Sequence, residues 1–274
     1  MDISNITDII KTRKSFRTFD GKLISKEHKE MLSSYIKTID NPYNIPVEFI
    51  FLNAEEHGLS SPVIKGEHLY IAAKVPKTEH CEEAFGFSFE KMVLYAWSLG
   101  IGTTWIGGTM PREKFEKAVQ LKDNELMLCV SPLGYPANKM SVKELAMRAA
   151  IKADKRSSEK ELFFENNFSS PLNTSDEKVA KALETVRFAP SAVNKQPWRI
   201  VKTGNTYNFY EYSTLGGHSA AWDVQKVDMG IALCHFITLT SGELCLSDPH
   251  IETPKKHRIY CRCFALNNAY ITQS

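Results

Sequence analysis

A chain of 274 residues, 43% hydrophobic and 24% charged, has room for one large folded domain or two small ones. Its net charge of +2, with acids and bases interspersed, gives no reason to expect nucleic acid as a partner. No window offers the roughly 18 uncharged apolar residues of a membrane span, and MDISNITDII lacks the cationic-then-apolar layout of a secretory signal, so a cytoplasmic protein is expected.

The elements can be read in chain order. Ser4 is placed to cap a first helix carrying Ile6, Ile9 and Ile10 on one side. That helix runs into RKSFRTF, residues 13–19. A second helix follows the cap Ser25 and continues toward Ile39, and VEFIFL (47–52) and HLYIAAKV (68–75) read as short strands. Between Cys81 and Leu99 the apolar positions Phe85, Phe89, Met92, Val93 and Ala96 follow helical spacing, with Gly100 where a left-handed cap is wanted. LMLCVSPLGYP (126–136) is an apolar strand ending in a turn.

From about Asn173 the same order begins again. Ser175 is placed to cap the helix DEKVAKALETVRFA, and RFAPSAVNKQPW (187–198) leads into the strands WRIVK and NFYEY. A helix in WDVQKVDMGIALCHFITLTSG, ended by Gly242, and the strand RIYCRCFAL close the series. This reads as a diverged internal duplication, an ordinary α+β chain with coincidental alternation being the other reading.

Two segments carry the candidate chemistry. In RKSFRTF, Arg13, Lys14 and Arg17 surround the hydroxyl of Ser15. Arginine can grip a phosphate through two parallel hydrogen bonds, although cations after a helix can also merely complement its dipole. In APSAVNKQPW, Pro190 and Pro197 stiffen the chain, and Ala189 and Gln196, each before a proline, are expected to be extended. Ser191, Asn194 and Gln196 are polar side chains that can face a heterocycle, and Trp198 is expected in the core. The plainer alternative is a rigid helix-to-strand connection with ordinary turn chemistry.

The eight histidines form no HxxxH or HExxH arrangement, and the six cysteines (Cys81, Cys129, Cys234, Cys245, Cys261, Cys263) form no CxxC pair. No metal is expected, and the thiols read as structural and reduced. Cys261 and Cys263 alternate with Tyr260 and Arg262, as two small groups on one face of a strand.

The two motifs together resemble the flavin-binding signatures of the FMN-dependent nitroreductase superfamily. LGIGTTWIGG (99–108) is similar to that family's central helix end and glycine segment, VSPLGYPA (130–137) to the strand and turn that follow, and KRSSEKELFF (155–164) to its closing basic segment. Members are normally α+β homodimers with FMN held at the interface by both subunits. The resemblance therefore implies a fused pseudo-dimer: two diverged halves, each with a central, mainly antiparallel sheet flanked by helices. The half at 1–168 would carry the basic and glycine sets, and the half at 169–274 the proline motif. NPYNIPVEF lacks a proline motif in the first half, and TSGELCLS stands where WIGG would be in the second, so one site survives.

Carried onto this chain, the resemblance makes Arg13, Lys14, Ser15 and Arg156 phosphate-side residues and sets Arg17 near the pyrimidine edge. The backbone of Ile106, Gly107 and Gly108 would approach the ring, and Pro190, Ser191, Ala192, Asn194 and Gln196 would cover it. Lys155 and Arg156 could instead belong to the second half's lost site. The implied activity passes electrons from NADH or NADPH to a nitroaromatic, quinone or related small acceptor by ping-pong turnover, with no catalytic side chain of its own. A specialised flavoenzyme of the same fold (a dehalogenase or a flavin-fragmenting enzyme) and a flavin-binding or sensing protein without turnover are the alternatives. The expected partner is a small-molecule electron acceptor, with neither nucleic acid nor membrane, and the sequence leaves open whether the fused pseudo-dimer acts as a monomer or assembles further.

Overall fold

The computed structural model describes residues 5–215, 222–246, 250–254 and 259–270, the last in its backbone. The Ser4 cap and the side chains of Cys261 and Cys263 lie outside the described residues. By compactness the chain divides into residues 12–153 and residues 1–11 with 154–274.

After helix α1 (Ile6–Thr12), the unit of residues 12–153 builds helix α2 (Lys26–Ile36) behind Ser25, whose side chain accepts the His28 amide. The helix stops short of Ile39 because Thr38 turns both its amide and its hydroxyl onto the Tyr35 carbonyl, at 2.9 and 2.8 Å. Strands β1 (Glu48–Asn53) and β2 (Leu69–Pro76) form an antiparallel hairpin. Helix α3 (Cys81–Ser98) follows, and Gly100 adopts φ 74° after it, the left-handed conformation that suits glycine. Helix α4 (Arg112–Ala118), strands β3 (Glu125–Leu126) and β4 (Val130–Leu133), and helix α5 (Val142–Ala150) complete the unit. The single strand expected over 126–136 is broken. Leu126 and Val130–Leu133 pair with β2, and the ladder is interrupted between them, where the Met127 and Leu128 carbonyls accept the Arg112 guanidinium at 2.6 and 3.1 Å.

Strand alternation divides this unit's core between the two faces of the sheet. Tyr70 and Ala72 of β2 pack with Phe115 of α4, Ile106 and Val130. On the opposite face Phe49, the cross-strand partner of Ala73, meets Phe89 of α3 with ring centroids 5.9 Å apart. Phe85, Phe89, Met92, Val93 and Ala96 are all buried as their spacing predicts, but α3 also buries Glu82, Glu83 and Glu90.

The other unit begins its second segment with helix α6 (Glu159–Leu162) and strand β5 (Phe163–Glu165). Helix α7 (Glu177–Phe188) follows. Its cap is Asp176 rather than Ser175, since the Asp176 carboxylate accepts both the Lys178 and Val179 amides. Strands β6 (Trp198–Thr203) and β7 (Thr206–Tyr212), helix α8 (Val224–Ile237), and strands β8 (Ser241–Cys245) and β9 (Ile259–Tyr270) complete it. The sheet order is β5-β6-β7-β9-β8, antiparallel except for β5, which runs parallel to β6.

Helix α8 ends well before Gly242, which lies in β8. The hydroxyls of Thr238 and Thr240 satisfy the Cys234 and Phe236 carbonyls, so the helix needs no glycine cap. Tyr207 packs its ring tilted against Phe236 of α8, Phe209 meets the same ring edge-on, and Trp198 is fully buried. Helix α1 belongs here: Lys11 lies 3.1 Å from Glu184 and 6.0 Å above the Phe188 ring, both on α7. The boundary expected at 168 therefore differs from the compact one near 153, because β5 adds itself to β6.

Leaving aside α4 and β3 in one unit and β8 in the other, the two share an order of elements: α2-β1-β2-α3-β4 and α7-β6-β7-α8-β9. Cys81, Cys129 and Cys234 are buried free thiols and Cys245 is half-buried. Among the described residues no helix is long and apolar enough to cross a membrane, and no cluster of three or more His, Cys, Asp or Glu could hold a metal.

Candidate functional site

The basic motif of the 12–153 unit is laid down as extended chain. Ser15 bridges to Thr103 and Thr18 to Lys65, while the Phe16 amide donates to the Thr103 carbonyl at 2.9 Å. Its two aromatic residues pin it in place. A Cβ at Gly134 would lie 2.7 Å from the Phe19 ring, and one at Gly102 would lie 3.0 Å from that of Phe16, so each phenylalanine occupies space that only glycine leaves.

Four cations and hydroxyls are thereby displayed with unequal exposure. Arg13 is buried, with Nε 3.9 Å from Oε1 of Glu90, and Oε2 of that carboxylate accepts the Trp105 indole at 3.2 Å. Lys14 is exposed and sits 5.6 Å over the Phe16 ring. Ser15 and Arg17 are half-buried. Nε of Arg13 and Nη1 of Arg17 are both buried without a hydrogen-bond partner. Burial lowers the pKa of both guanidiniums, opposed by Glu90 for Arg13 and by Glu144 for Arg17, with Arg148 adding to the lowering of each.

The glycine segment is fastened beside this motif. Ile106 and Val130 exchange amide–carbonyl hydrogen bonds at 2.9 Å, and Arg112 donates to the Gly107 carbonyl at 3.1 Å. A Cβ on Gly108 would meet nothing within 4 Å, and among the described residues neither the Gly107 nor the Gly108 amide donates to a protein acceptor. The segment is held from behind and open in front.

Helix α5 brings residues that the pattern of the sequence did not single out. Glu144 accepts the Arg17 amide at 3.0 Å and the Thr18 hydroxyl at 2.8 Å, and the Ser141 amide donates to Thr18 Oγ1 at 3.1 Å. The signal was SVKE (141–144), the form of a capping box. Ser141 does cap the helix, but the glutamate reaches across to the basic motif instead of back to the cap.

In the other unit the proline motif is a tight, internally bonded loop. The Ser191 hydroxyl accepts the Gln196 amide at 2.8 Å, and both carboxylate oxygens of Asp228 accept the Ala192 amide, at 3.0 and 3.1 Å. Burial raises the Asp228 pKa well above the usual range, opposed by that hydrogen bond and reinforced by Glu211 and Asp223. Val193, Asn194 and Gln196 adopt φ of 43°, 57° and 50°, a region costly for a β-branched residue.

Ala189 is extended as expected, with φ −55° and ψ 137°, but Gln196 is not. Its side-chain amide overrides the preference: Oε1 accepts the Ser157 amide at 2.9 Å, and Nε2 donates to the carbonyls of Lys155 and Asn194 at 3.3 Å. Asn194 Nδ2 also donates to the Lys155 carbonyl, at 3.0 Å. Two of the amides expected to face a heterocycle are thus engaged in building the loop. Lys155 and Arg156 lie with this motif, Arg156 stacking 5.8 Å from the Phe188 ring. The structure therefore groups Arg13, Lys14, Ser15, Arg17 and Ile106–Gly108 in one compact unit, and Arg156 with Pro190–Gln196 in the other.

No curated protein matches the chain. Among solved structures, a protein of Thermotoga maritima described as a putative nitroreductase superposes with a TM-score of 0.56 at 21% identity, over 85% of this chain and 82% of that one. That likeness establishes a nitroreductase-like fold. A Clostridium acetobutylicum protein described as a putative NADH oxidase covers 48% of this chain and 90% of its own, at 29% identity and a TM-score of 0.42. A family model described as "Putative TM nitroreductase" matches residues 5–240. With pinned basic motif, open glycine segment, fold and family model in agreement, the chain belongs to that nitroreductase family.

Proposed function

We propose that this protein is an FMN-dependent oxidoreductase that takes electrons from NADH or NADPH and passes them to nitroaromatic, quinone or related small acceptors in alternating half-reactions. The observation that carries the reading is one compact unit holding buried guanidinium nitrogens of Arg13 and Arg17 that make no hydrogen bond and, joined to them through Ser15 and Thr103, a glycine segment whose Gly107 and Gly108 amides are uncommitted. These residues fit a planar cofactor with a phosphate tail. Arg13 and Ser15 bind the anionic tail, with Lys14 adding positive charge at the surface, and Arg17 lies nearer the pyrimidine edge, where a cation stabilises the reduced ring. The amides of Gly107 and Gly108 orient the ring, where the missing Cβ permits close approach. Bound FMN would supply the hydride chemistry; the protein supplies binding, orientation and charge. Pro190, Ser191, Ala192, Asn194 and Gln196 are proposed as flavin-retaining residues, Gln196 through the loop it braces.

An absorption spectrum of the purified chain, followed by addition of NADH or NADPH, tests the proposal. A yellow protein bleached by either nucleotide and recoloured by a quinone or nitroaromatic is the expected result. A yellow protein inert to both would make it a flavin-binding protein without turnover. A chain that neither carries nor takes up FMN would overturn the proposal.

A further inference from the structure

Glu90 is a fully buried carboxylate in the middle of α3, and it meets two separate segments at once. Its Oε2 accepts the Trp105 indole N–H at 3.2 Å, and Trp105 leads directly into Ile106–Gly108. Its Oε1 lies 3.9 Å from Nε of Arg13, the first cation of the basic motif. Phe89, the preceding residue on α3, packs its ring against that of Trp105 with centroids 4.8 Å apart.

A charge-assisted N–H···O bond closes to about 2.7–2.9 Å, so Arg13 and Glu90 are paired in charge but unbonded, and the Arg13 Nε–H is buried without an acceptor. A buried ion pair recovers its desolvation only in close, fully bonded geometry. This pair is held open, which is poor design for stability and suits a donor kept for a ligand. Burial works against the charge on Arg13, and Glu90 supports it.

We infer that Glu90 is a positioning residue coupling the basic motif to the glycine segment: it keeps Arg13 ready for an anion and ties it, through Trp105, to the backbone at Ile106–Gly108. The inference rests on the FMN reading above, the anion being the phosphate of the tail. An anion at Arg13 competes with Glu90 for the same guanidinium. The carboxylate, relieved of part of that attraction, holds the indole more firmly and stiffens the start of the glycine segment. Tail binding thereby prepares the segment for the ring. The coupling costs affinity, because Glu90 repels the anion that Arg13 attracts.

The test uses the full chain carrying Glu90→Gln, which keeps the volume and an acceptor for the indole but removes the charge. Calorimetric titration should show inorganic phosphate and FMN binding about tenfold more tightly than to the unaltered chain, with riboflavin, which has the ring and no phosphate, unchanged. In the unaltered chain phosphate should also shift the NMR signal of the Trp105 indole N–H, assigned by its absence in Trp105→Phe, and Glu90→Gln should abolish that shift. Unchanged phosphate affinity in Glu90→Gln, or an indole shift that persists in it, would make Glu90 an ordinary core ion pair and overturn the inference. If Glu90→Gln does not fold, Trp105→Phe decides, since it keeps an aromatic ring and removes the indole donor. Phosphate should slow amide exchange at Thr104 and Ile106, which donate to Ser131 and Val130, in the unaltered chain and not in Trp105→Phe. Equal slowing in both would overturn the coupling. If the unaltered chain takes up no flavin, the function fails, and the phosphate measurements still decide the role of Glu90: a Trp105 signal that phosphate leaves unmoved would remove it.

Discussion

Both carboxylate oxygens of Asp228 converge on the single amide of Ala192, so a buried acid on α8 holds the strained proline loop by its backbone. Asp228→Ala leaves that amide without its acceptor and should cost about 1–3 kcal/mol of stability. Asp228→Asn keeps an acceptor and carries no charge. Because the folded pKa of Asp228 is raised, the native state binds more protons than the unfolded chain above the ordinary carboxylate range. Stability should therefore fall as pH rises from about 4 toward the raised value. Denaturant titrations across pH should show that decline in the unaltered protein and a flatter profile in Asp228→Asn. Equal slopes would mean that Asp228 is ionised in the fold.

Arg17 offers a sharper test of the phosphate and ring assignments. With Nη1 buried and unpartnered, Arg17→Ala should weaken FMN about tenfold or more, or lower the flavin's reduction potential through loss of a nearby cation. Equilibrium titration and a spectroelectrochemical potential measure the two. If neither moves, the guanidinium serves the protein alone.

Gly134 is predicted to be intolerant of any side chain. A Cβ there would sit 2.7 Å from the buried Phe19 ring, and displacing that ring unseats the end of the basic motif. Overpacking of this kind typically costs about 1–3 kcal/mol, so Gly134→Ala should lower the unfolding midpoint and weaken FMN binding together. A midpoint equal to that of the unaltered chain would show that the Phe19 ring can move without cost.

Flavin stoichiometry tests the one-site reading. The basic and glycine sets occur together in the 12–153 unit, and TSGELCLS stands at the corresponding place in the other half, so extraction should release a single FMN per chain. Two flavins per chain would mean that the second half keeps a site without those motifs.

The long, locally patterned elements were readable because one period dominates each. Phe85, Phe89, Met92, Val93 and Ala96 of α3 all fall in the core, and the hairpin strands lie where the β-rich runs put them. Misreadings arose where a side chain satisfies backbone that a neighbouring element would otherwise satisfy. Arg112 takes the carbonyls of Met127 and Leu128 and breaks the strand there, Thr238 and Thr240 end α8 ahead of Gly242, and Gln196 holds itself at φ 50° before a proline. Helix α5 was missed because its apolar residues face outward, so its periodicity advertises no core. Arg13, Ser15 and Arg17 were legible as a local motif, whereas Glu90, Arg112 and Asp228 act across long stretches of sequence and carry no local signature.

One compact unit is interrupted in sequence by the whole of the other, with α1 at its start and residues 154 onward at its end. During synthesis Ile6 and Ile10, both fully buried in the finished protein, leave the ribosome ahead of the whole 12–153 segment. They must then wait for α7, the helix against which Lys11 is anchored. At ordinary elongation rates that delay is on the order of ten seconds, long enough for the intervening 12–153 segment to fold. The nascent chain thus carries an apolar helix with its partner helix still to be made.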